Sequence, residues 1–144
     1  VKSYDEILFC GFGEPTLLLD VVKGVVQKIK DAGGRVRLNT NGHGNVINKR
    51  NILPELSGLI DEISVSLNTD TSEAYDEICR PLPMFRNGIY DKIKEFITEA
   101  KKHIPEVQAT IVTHQKDVDE NQCEDIVNKE FGVKYRARRY NIVG

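Results

Sequence analysis

Strand-like and helix-like segments alternate along the entire chain, and this order limits the possible folds more than any other feature of the sequence. Five short segments show the apolar runs or the apolar–polar alternation that is typical of β-strands: 5–10, 35–39, 62–68, 107–113 and 133–140. Strands that are separated by helices pair in parallel through right-handed crossovers. The sequence therefore predicts an α/β fold with a parallel sheet.

The segments between the strands carry apolar residues at helical spacing. The first helix is marked by Leu18, Val21, Val22, Val25 and Ile29. Further helices are predicted at 52–59, 70–78, 87–104 and 117–131. Capping residues at the helix starts are expected to be Asp70 with Glu73, Asn87, and Asp117 with Glu120.

The strands alternate between apolar and polar residues, and this distinguishes two kinds of parallel sheet. An open doubly wound sheet is covered on both faces, so its strands are continuously apolar. Here one face of each later strand is polar, with Arg35, Arg37, Asn39, Ser64, Ser66, Asn68, Gln108, Thr110, Lys134, Arg136 and Arg138. We therefore predict a partial (β/α) barrel of about five parallel strands, with outer helices and a polar lumen.

The bulk composition excludes several classes of protein. The 144 residues suit one domain, expected to span 1–144. Twenty basic and 22 acidic side chains give a net charge of -2, which offers no general attraction for nucleic acid. No apolar run is long enough to span a bilayer and no charged leader is visible near Val1, so a cytoplasmic location is expected.

The cysteines and histidines give little indication of chemistry. Cys10, Cys79 and Cys123 are odd in number and widely spaced, which predicts neither a disulfide framework nor a local metal site. We expect His43 and His103 to be exposed to solvent, whereas His114, just beyond a strand, is equally compatible with a functional role. No residue is assigned a catalytic role.

Small and hydrogen-bonding residues follow the strands, where a parallel α/β fold usually has its functional rim. After the first strand, Gly13 permits a ligand to approach the backbone closely, Glu14 offers a carboxylate, and Pro15–Thr16 begins the next helix. The second strand is followed by a polar loop at 39–42. This arrangement forms a cradle without a nucleophile, and the first loop alone is equally compatible with a simple connecting turn.

Three segments together resemble the radical S-adenosylmethionine superfamily: Phe12–Pro15, Asn39–Gly42 and Ser64–Asn68. Phe12–Pro15 occupies the place of that family's Gly-Gly-Glu-Pro motif, with Phe12 replacing the first glycine. The sequences of these segments are particularly similar to those of the radical enzymes associated with TatD nucleases. The resemblance implies that S-adenosylmethionine is bound by Phe12, Gly13, Glu14, Asn39, Asn41, Ser66 and Asn68.

The sequence departs from that family in one respect, because it contains no Cys-x-x-x-Cys-x-x-Cys segment. In the family these cysteines hold a [4Fe-4S] cluster, which reductively cleaves S-adenosylmethionine to a 5'-deoxyadenosyl radical. We expect the family's first strand and cluster loop to lie upstream, so that this chain is an inactive core fragment and holds no metal itself. The resemblance further implies a reductant such as flavodoxin or ferredoxin for the parent protein.

Cationic side chains indicate the substrate class. Arg37, Arg136 and Arg138 share the inward-facing parity, and His114 lies near the rim. Guanidinium groups bind carboxylates and phosphates bidentately. We therefore expect these four residues to be candidates for binding an anionic substrate.

Two other functions are compatible with the sequence. The polar rim could bind a nucleotide or a partner protein without catalysis, if a cluster loop was never present. A barrel hydrolase or aldolase is less compatible, because the rim shows no Ser-His-Asp arrangement, metal-ligand cluster or evident Schiff-base lysine.

Overall fold

The computed structural model describes residues 4–139, and its centre is a five-stranded sheet in which all paired strands are parallel. The strands are β1 (Glu6–Phe9), β2 (Arg35–Thr40), β3 (Glu62–Ser66), β4 (Glu106–Val112) and β5 (Lys134–Arg138). Each predicted strand is present, and this confirms the α/β class. The end of the predicted fifth strand, Tyr140, lies outside the described residues.

The strands lie in the sheet in chain order, β1-β2-β3-β4-β5. Every connection thus moves in the same direction across the sheet. Because crossovers between parallel strands are right-handed, connections in one direction place their helices on one face. The other face stays open and concave, so the prediction of a partial (β/α) barrel with outer helices is confirmed.

The connections hold six α-helices within the described residues: α1 (Leu19–Asp31), α2 (Gly44–Ile47), α3 (Leu53–Leu56), α4 (Ser72–Cys79), α5 (Ile89–His103) and α6 (Glu120–Asp125). A 3₁₀ turn at Pro15–Leu18 precedes α1, and another lies at Pro83–Phe85. A π-helical segment, Ile126–Phe131, continues α6 and leads into β5. None of these helices is long and apolar enough to cross a membrane.

The core lies between the sheet and the helices. Strand side chains of one parity are inaccessible to solvent, among them Val36, Leu38, Ile63, Val65, Ala109 and Ile111. The helices contribute buried residues at helical spacing, and α5 supplies Ile93, Phe96 and Ile97. On α1, Val22, Val26 and Ile29 are buried, whereas Val21 and Val25 remain exposed, as does Leu18 in the preceding 3₁₀ turn. The predicted stripe of α1 therefore belongs to two different faces.

The predicted capping residues are each displaced. Thr71, rather than Asp70, caps α4, and its Oγ1 accepts a hydrogen bond of 3.2 Å from the Ala74 backbone N–H. Gly88 precedes α5 and Asp119 caps α6. The predicted caps of these two helices, Asn87 and Asp117, have φ values of 60° and 61° and act as left-handed turn residues.

We predict that Phe96→Ala lowers the free energy of unfolding by about 3–5 kcal/mol. Phe96 has an accessibility of 0% at the centre of α5, so the truncation leaves a cavity between helix and sheet. Urea denaturation followed by circular dichroism measures the change. Lys92→Ala on the exposed side of the same helix is the control, with an expected change within about 0.5 kcal/mol; equal losses in the two variants would contradict this packing.

Candidate functional site at the carboxyl ends of the strands

A hollow of about 240 Å³ lies at the carboxyl ends of the strands, and we call it the rim hollow. Segments that follow β1 and β2 meet the ends of β3 and β5 around it. Its lining consists of Cys10, Gly11, Gly13, Glu14, Asn39, Thr40, Asn41, Ser66 and Arg138. Polar groups from four strands thus converge at the edge where parallel α/β proteins commonly bind ligands.

Glu14 holds the first two rim loops together. Its Oε1 accepts hydrogen bonds from the Thr16 backbone N–H at 3.2 Å, from Thr16 Oγ1 at 2.6 Å and from Thr40 Oγ1 at 2.7 Å. Its Oε2 accepts one bond of 2.7 Å, from the Asn41 backbone N–H. One carboxylate therefore connects the end of β2 to the start of the first helical turn, and Oε2 keeps the greater remaining acceptor capacity.

Asn41 is ordered by two contacts. Its backbone N–H is held by Glu14, and its Oδ1 accepts a bond of 2.9 Å from the His43 backbone N–H. This local turn uses the acceptor end of the Asn41 amide. The donor end, Nδ2, has no hydrogen-bond partner among residues 4–139 and remains able to donate to a ligand.

The structure brings five of the seven predicted cofactor-binding residues together in the rim hollow: Gly13, Glu14, Asn39, Asn41 and Ser66. The other two do not line it. The Phe12 side chain projects into solvent. Asn68 lies beyond the end of β3 with φ 65°, and its Nδ2 donates to Cys79 Sγ on α4 at 3.6 Å.

The predicted substrate-binding arginines line a second, smaller hollow, which we call the inner hollow. It measures about 50 Å³ and is lined by Arg37, Asn39, Ser64, Ser66, Thr110, Arg136 and Arg138. It shares Asn39, Ser66 and Arg138 with the rim hollow, so the two are adjacent. His114 lines neither hollow; its backbone N–H donates to Glu120 Oε1 at 2.8 Å.

Ion pairs occupy the amino end of the concave face. Arg35 contacts Glu6 at 3.1 Å, Glu62 at 3.4 Å and Glu106 at 3.1 Å. Arg37, one layer further along β2, lies 3.4 Å from Glu6 and 4.0 Å from Glu62. Arg136 and Arg138 form no ion pair within residues 4–139. The neutralised charges are therefore at the amino end, and the unpaired cations are toward the carboxyl end.

His43 is buried, so the expectation that it is solvent-exposed is wrong. Its Nε2 lies 2.9 Å from Tyr75 Oη, and the Phe85 ring packs against it. Gly44 allows this placement, because a Cβ there would come within 2.6 Å of Ile52. Burial lowers the pKa of His43, and the Glu14 carboxylate opposes that effect in part.

The residues present do not fit an iron–sulfur cluster. Cys10 is exposed, Cys79 is half-buried and Cys123 is buried. Burial raises the pKa of Cys123 to about 12, which disfavours the thiolate form that binds metal. Within the described part of the chain, no three His, Cys, Asp or Glu side chains are grouped to hold a metal ion.

Comparison with known families gives a match over most of the chain. A sequence model described as the Radical SAM superfamily matches residues 1–128 of the 144. This range contains every residue that lines the rim hollow except Arg138. No protein with a curated description matches the chain.

We predict that Glu14→Gln lowers the free energy of unfolding by roughly 1–3 kcal/mol, because an amide nitrogen would replace one acceptor oxygen and face hydrogen-bond donors. Urea denaturation measures the loss. Glu124→Gln, an exposed position on α6, is the matched control and should change stability by less than about 0.5 kcal/mol. A Glu14→Gln variant as stable as this control would show that the carboxylate does not hold the loops.

We predict that His43 makes the protein less stable as the pH falls through 6.5, the ordinary pKa of histidine. Below that pH the unfolded state takes up a proton that the folded state, with its lowered pKa, still excludes. Free energies of unfolding measured from about pH 8 to about pH 5.5 should therefore fall less steeply in His43→Gln than in the unsubstituted chain. Tyr75→Phe should keep the slope, since burial rather than the hydroxyl is the main cause; an unchanged slope in His43→Gln would contradict the prediction.

Proposed function

The chain belongs to the radical SAM superfamily, and from that premise we propose that the rim hollow binds the methionine end of S-adenosylmethionine. One observation carries the proposal: Gly13, Glu14, Asn39, Asn41 and Ser66, from three separate strand ends, line one hollow. The resemblance of the first loop to the family's motif for the methionine amino group supports the same assignment. Phe12 and Asn68 would then act through their backbone or through neighbouring residues.

The chemistry of the hollow suits an amino acid that carries both charges. Glu14 Oε2, which accepts one internal bond, can accept a second from an ammonium group. Asn41 Nδ2 and the Arg138 guanidinium can donate to a carboxylate. A hollow of about 240 Å³ is smaller than the roughly 300–1,000 Å³ of a typical ligand pocket, so it would hold the amino-acid end and leave the adenosine outside.

The reductive chemistry is proposed for the parent protein alone. We place the three cluster-binding cysteines outside these 144 residues, since Cys10, Cys79 and Cys123 do not fit a cluster. The [4Fe-4S] cluster would there supply the electron that cleaves S-adenosylmethionine to a 5'-deoxyadenosyl radical, with flavodoxin or ferredoxin as its reductant. The part played by this chain is to bind and orient the methionine end.

Four narrower assignments complete the proposal. We assign the chain to the TatD-associated group of this superfamily, because the residues of the first two loops and of β3 resemble those of that group. The chain is one domain over 1–144 and acts in the cytoplasm. Its substrate is anionic, since Arg37, Arg136 and Arg138 line the inner hollow beside the rim hollow. His114, which lines neither hollow, is the weakest of the substrate-binding candidates.

We predict that Gly13→Val abolishes most formation of 5'-deoxyadenosine in the parent protein, after anaerobic reconstitution with iron and sulfide. A Cβ at Gly13 meets no atom within 4 Å, so the chain should tolerate the side chain, which would occupy space that the ligand needs. We expect at least about a tenfold loss, the effect of blocking one contact surface in a close-fitting site. Liquid chromatography of the product measures it.

Gly24→Val on α1 is the matched control, because a Cβ there also meets nothing within 4 Å and the position lies outside both hollows. It should retain near-normal product formation. A parent protein that shows the cluster spectrum yet forms no 5'-deoxyadenosine would contradict the proposed reaction. If S-adenosylmethionine still bound in calorimetry, that result would favour the non-catalytic nucleotide-binding module.

A further inference from the structure

Two hydroxyl groups on the concave face form no hydrogen bond within the described residues, and their oxygens remain accessible from the inner hollow. Ser64 is 7% exposed and Thr110 is 2% exposed, and both line the inner hollow. Neither hydroxyl forms a hydrogen bond with any of residues 4–139. Each hydroxyl can therefore donate a hydrogen bond to an acceptor that enters the inner hollow. The two residues thus add two hydrogen-bond donors to the wall of the inner hollow.

The cations beside these hydroxyls are also without partners. Thr110 and Arg136 are neighbours across the β4–β5 pairing, and Val112 and Arg138 are the next such pair. Arg136 and Arg138 thus lie on the same face of β5, roughly 7 Å apart by the rise of a strand. Within residues 4–139 no carboxylate pairs with either guanidinium, so together they bring two positive charges to the inner hollow.

The carboxylates nearest to this hollow are already engaged. Glu6 and Glu62, at the amino end, pair with Arg35 and Arg37. Glu14, at the rim, accepts its hydrogen bonds from Thr16, Thr40 and Asn41. The net charge that an occupant of the inner hollow meets is therefore positive.

We propose that the inner hollow binds the phosphoryl group of a phosphate-monoester substrate. A phosphate monoester carries about -1.5 to -2 charges at neutral pH and three acceptor oxygens, which matches two guanidiniums and two hydroxyls. A single carboxylate has one charge and two oxygens, and would leave donors unsatisfied. A volume of about 50 Å³ admits the phosphoryl group and excludes the rest of the substrate.

The position of the inner hollow indicates what a phosphoryl group bound there, the phosphate anchor, would do for the reaction. This step of the inference rests on the proposed function. The inner hollow adjoins the rim hollow through Asn39, Ser66 and Arg138. A substrate held by its phosphoryl group would extend its carbon skeleton toward the proposed S-adenosylmethionine site. The structure thereby assigns Ser64, Thr110 and Arg136 to substrate selection, whereas Arg138 borders both ligands.

The proposal is tested by titrating the chain with inorganic phosphate, monitored by amide chemical shifts in NMR at physiological salt. Acetate and malonate are the comparison anions, since acetate lacks the second charge and malonate has two charges without the tetrahedral geometry. We expect saturable binding of phosphate, and binding of both carboxylates to be weaker by about tenfold or more. The resonances that shift should include the backbone amides of Ser64 and Thr110.

Variants locate the site. Arg136 lines the inner hollow but not the rim hollow, and it is exposed, so the Arg136→Gln variant should fold normally. This variant should weaken phosphate binding at least about tenfold. Thr110→Val, nearly the same shape, should weaken it about fivefold through loss of one hydrogen bond. Lys134→Gln is the matched control, on the same face of β5 but outside the inner hollow, and should change the affinity by no more than about twofold.

Several outcomes would overturn the proposal: no saturable phosphate binding, equal affinity for acetate or malonate, or a loss in Lys134→Gln as large as that in Arg136→Gln. Because the titration contains neither S-adenosylmethionine nor a cluster, it is independent of the reaction assigned to the parent protein. Phosphate binding without 5'-deoxyadenosine formation would refute the proposed reaction and leave the anchor intact. The reverse pattern would refute the anchor alone.

Discussion

The direction of the crossovers determines which face of the sheet the helices cover and where the functional hollows lie. Because β1 to β5 lie in chain order and crossovers between parallel strands are right-handed, the helices of residues 4–139 lie on one face of the sheet and leave the other face open. A bare face must be compatible with water or with a ligand, so its side chains are polar. The functional hollows are thus a direct result of topology, and the residues that line them are the alternate residues that the core does not use.

The charges on that face are separated along the strands. Toward the amino end, Arg35 and Arg37 are neutralised by glutamates, and toward the carboxyl end Arg136 and Arg138 have no carboxylate partner in the described chain. Glu14 accepts four hydrogen bonds from the protein and lines the rim hollow but not the inner hollow. Within the described residues, the cations of this face that lack a carboxylate partner therefore lie beside the inner hollow.

The sequence predicts the sheet and its faces well, because alternation within a strand depends only on neighbouring residues. Arg37, Ser66 and Thr110 lie on the open face as their parity indicates. Errors arise where a backbone leaves the extended or helical regions: Asn68 has a positive φ just beyond β3, and its side chain consequently lies against Cys79. The same holds for the displaced caps at Asn87 and Asp117.

The burial of loop residues cannot be predicted from local sequence patterns either. His43 is covered by Tyr75 and Phe85, which are distant in the chain, and Gly44 fits against Ile52 and Thr16. The two flanking glycines were a signal of this close approach, although they are equally common in exposed turns. The residues that line the rim hollow are easier to predict than its shape, because they lie at the ends of the strands.

The strict alternation on β2 also determines which changes in length the fold can accept. Deleting one residue within β2 would bring Arg37 into the core and expose Leu38 to the cleft, because every later side chain of the strand would change sides. Insertions in the loops beyond the strands carry no such penalty. Divergence of this cleft toward new ligands would accordingly proceed by substitution at alternate strand positions and by loop growth, while strand lengths stay constant.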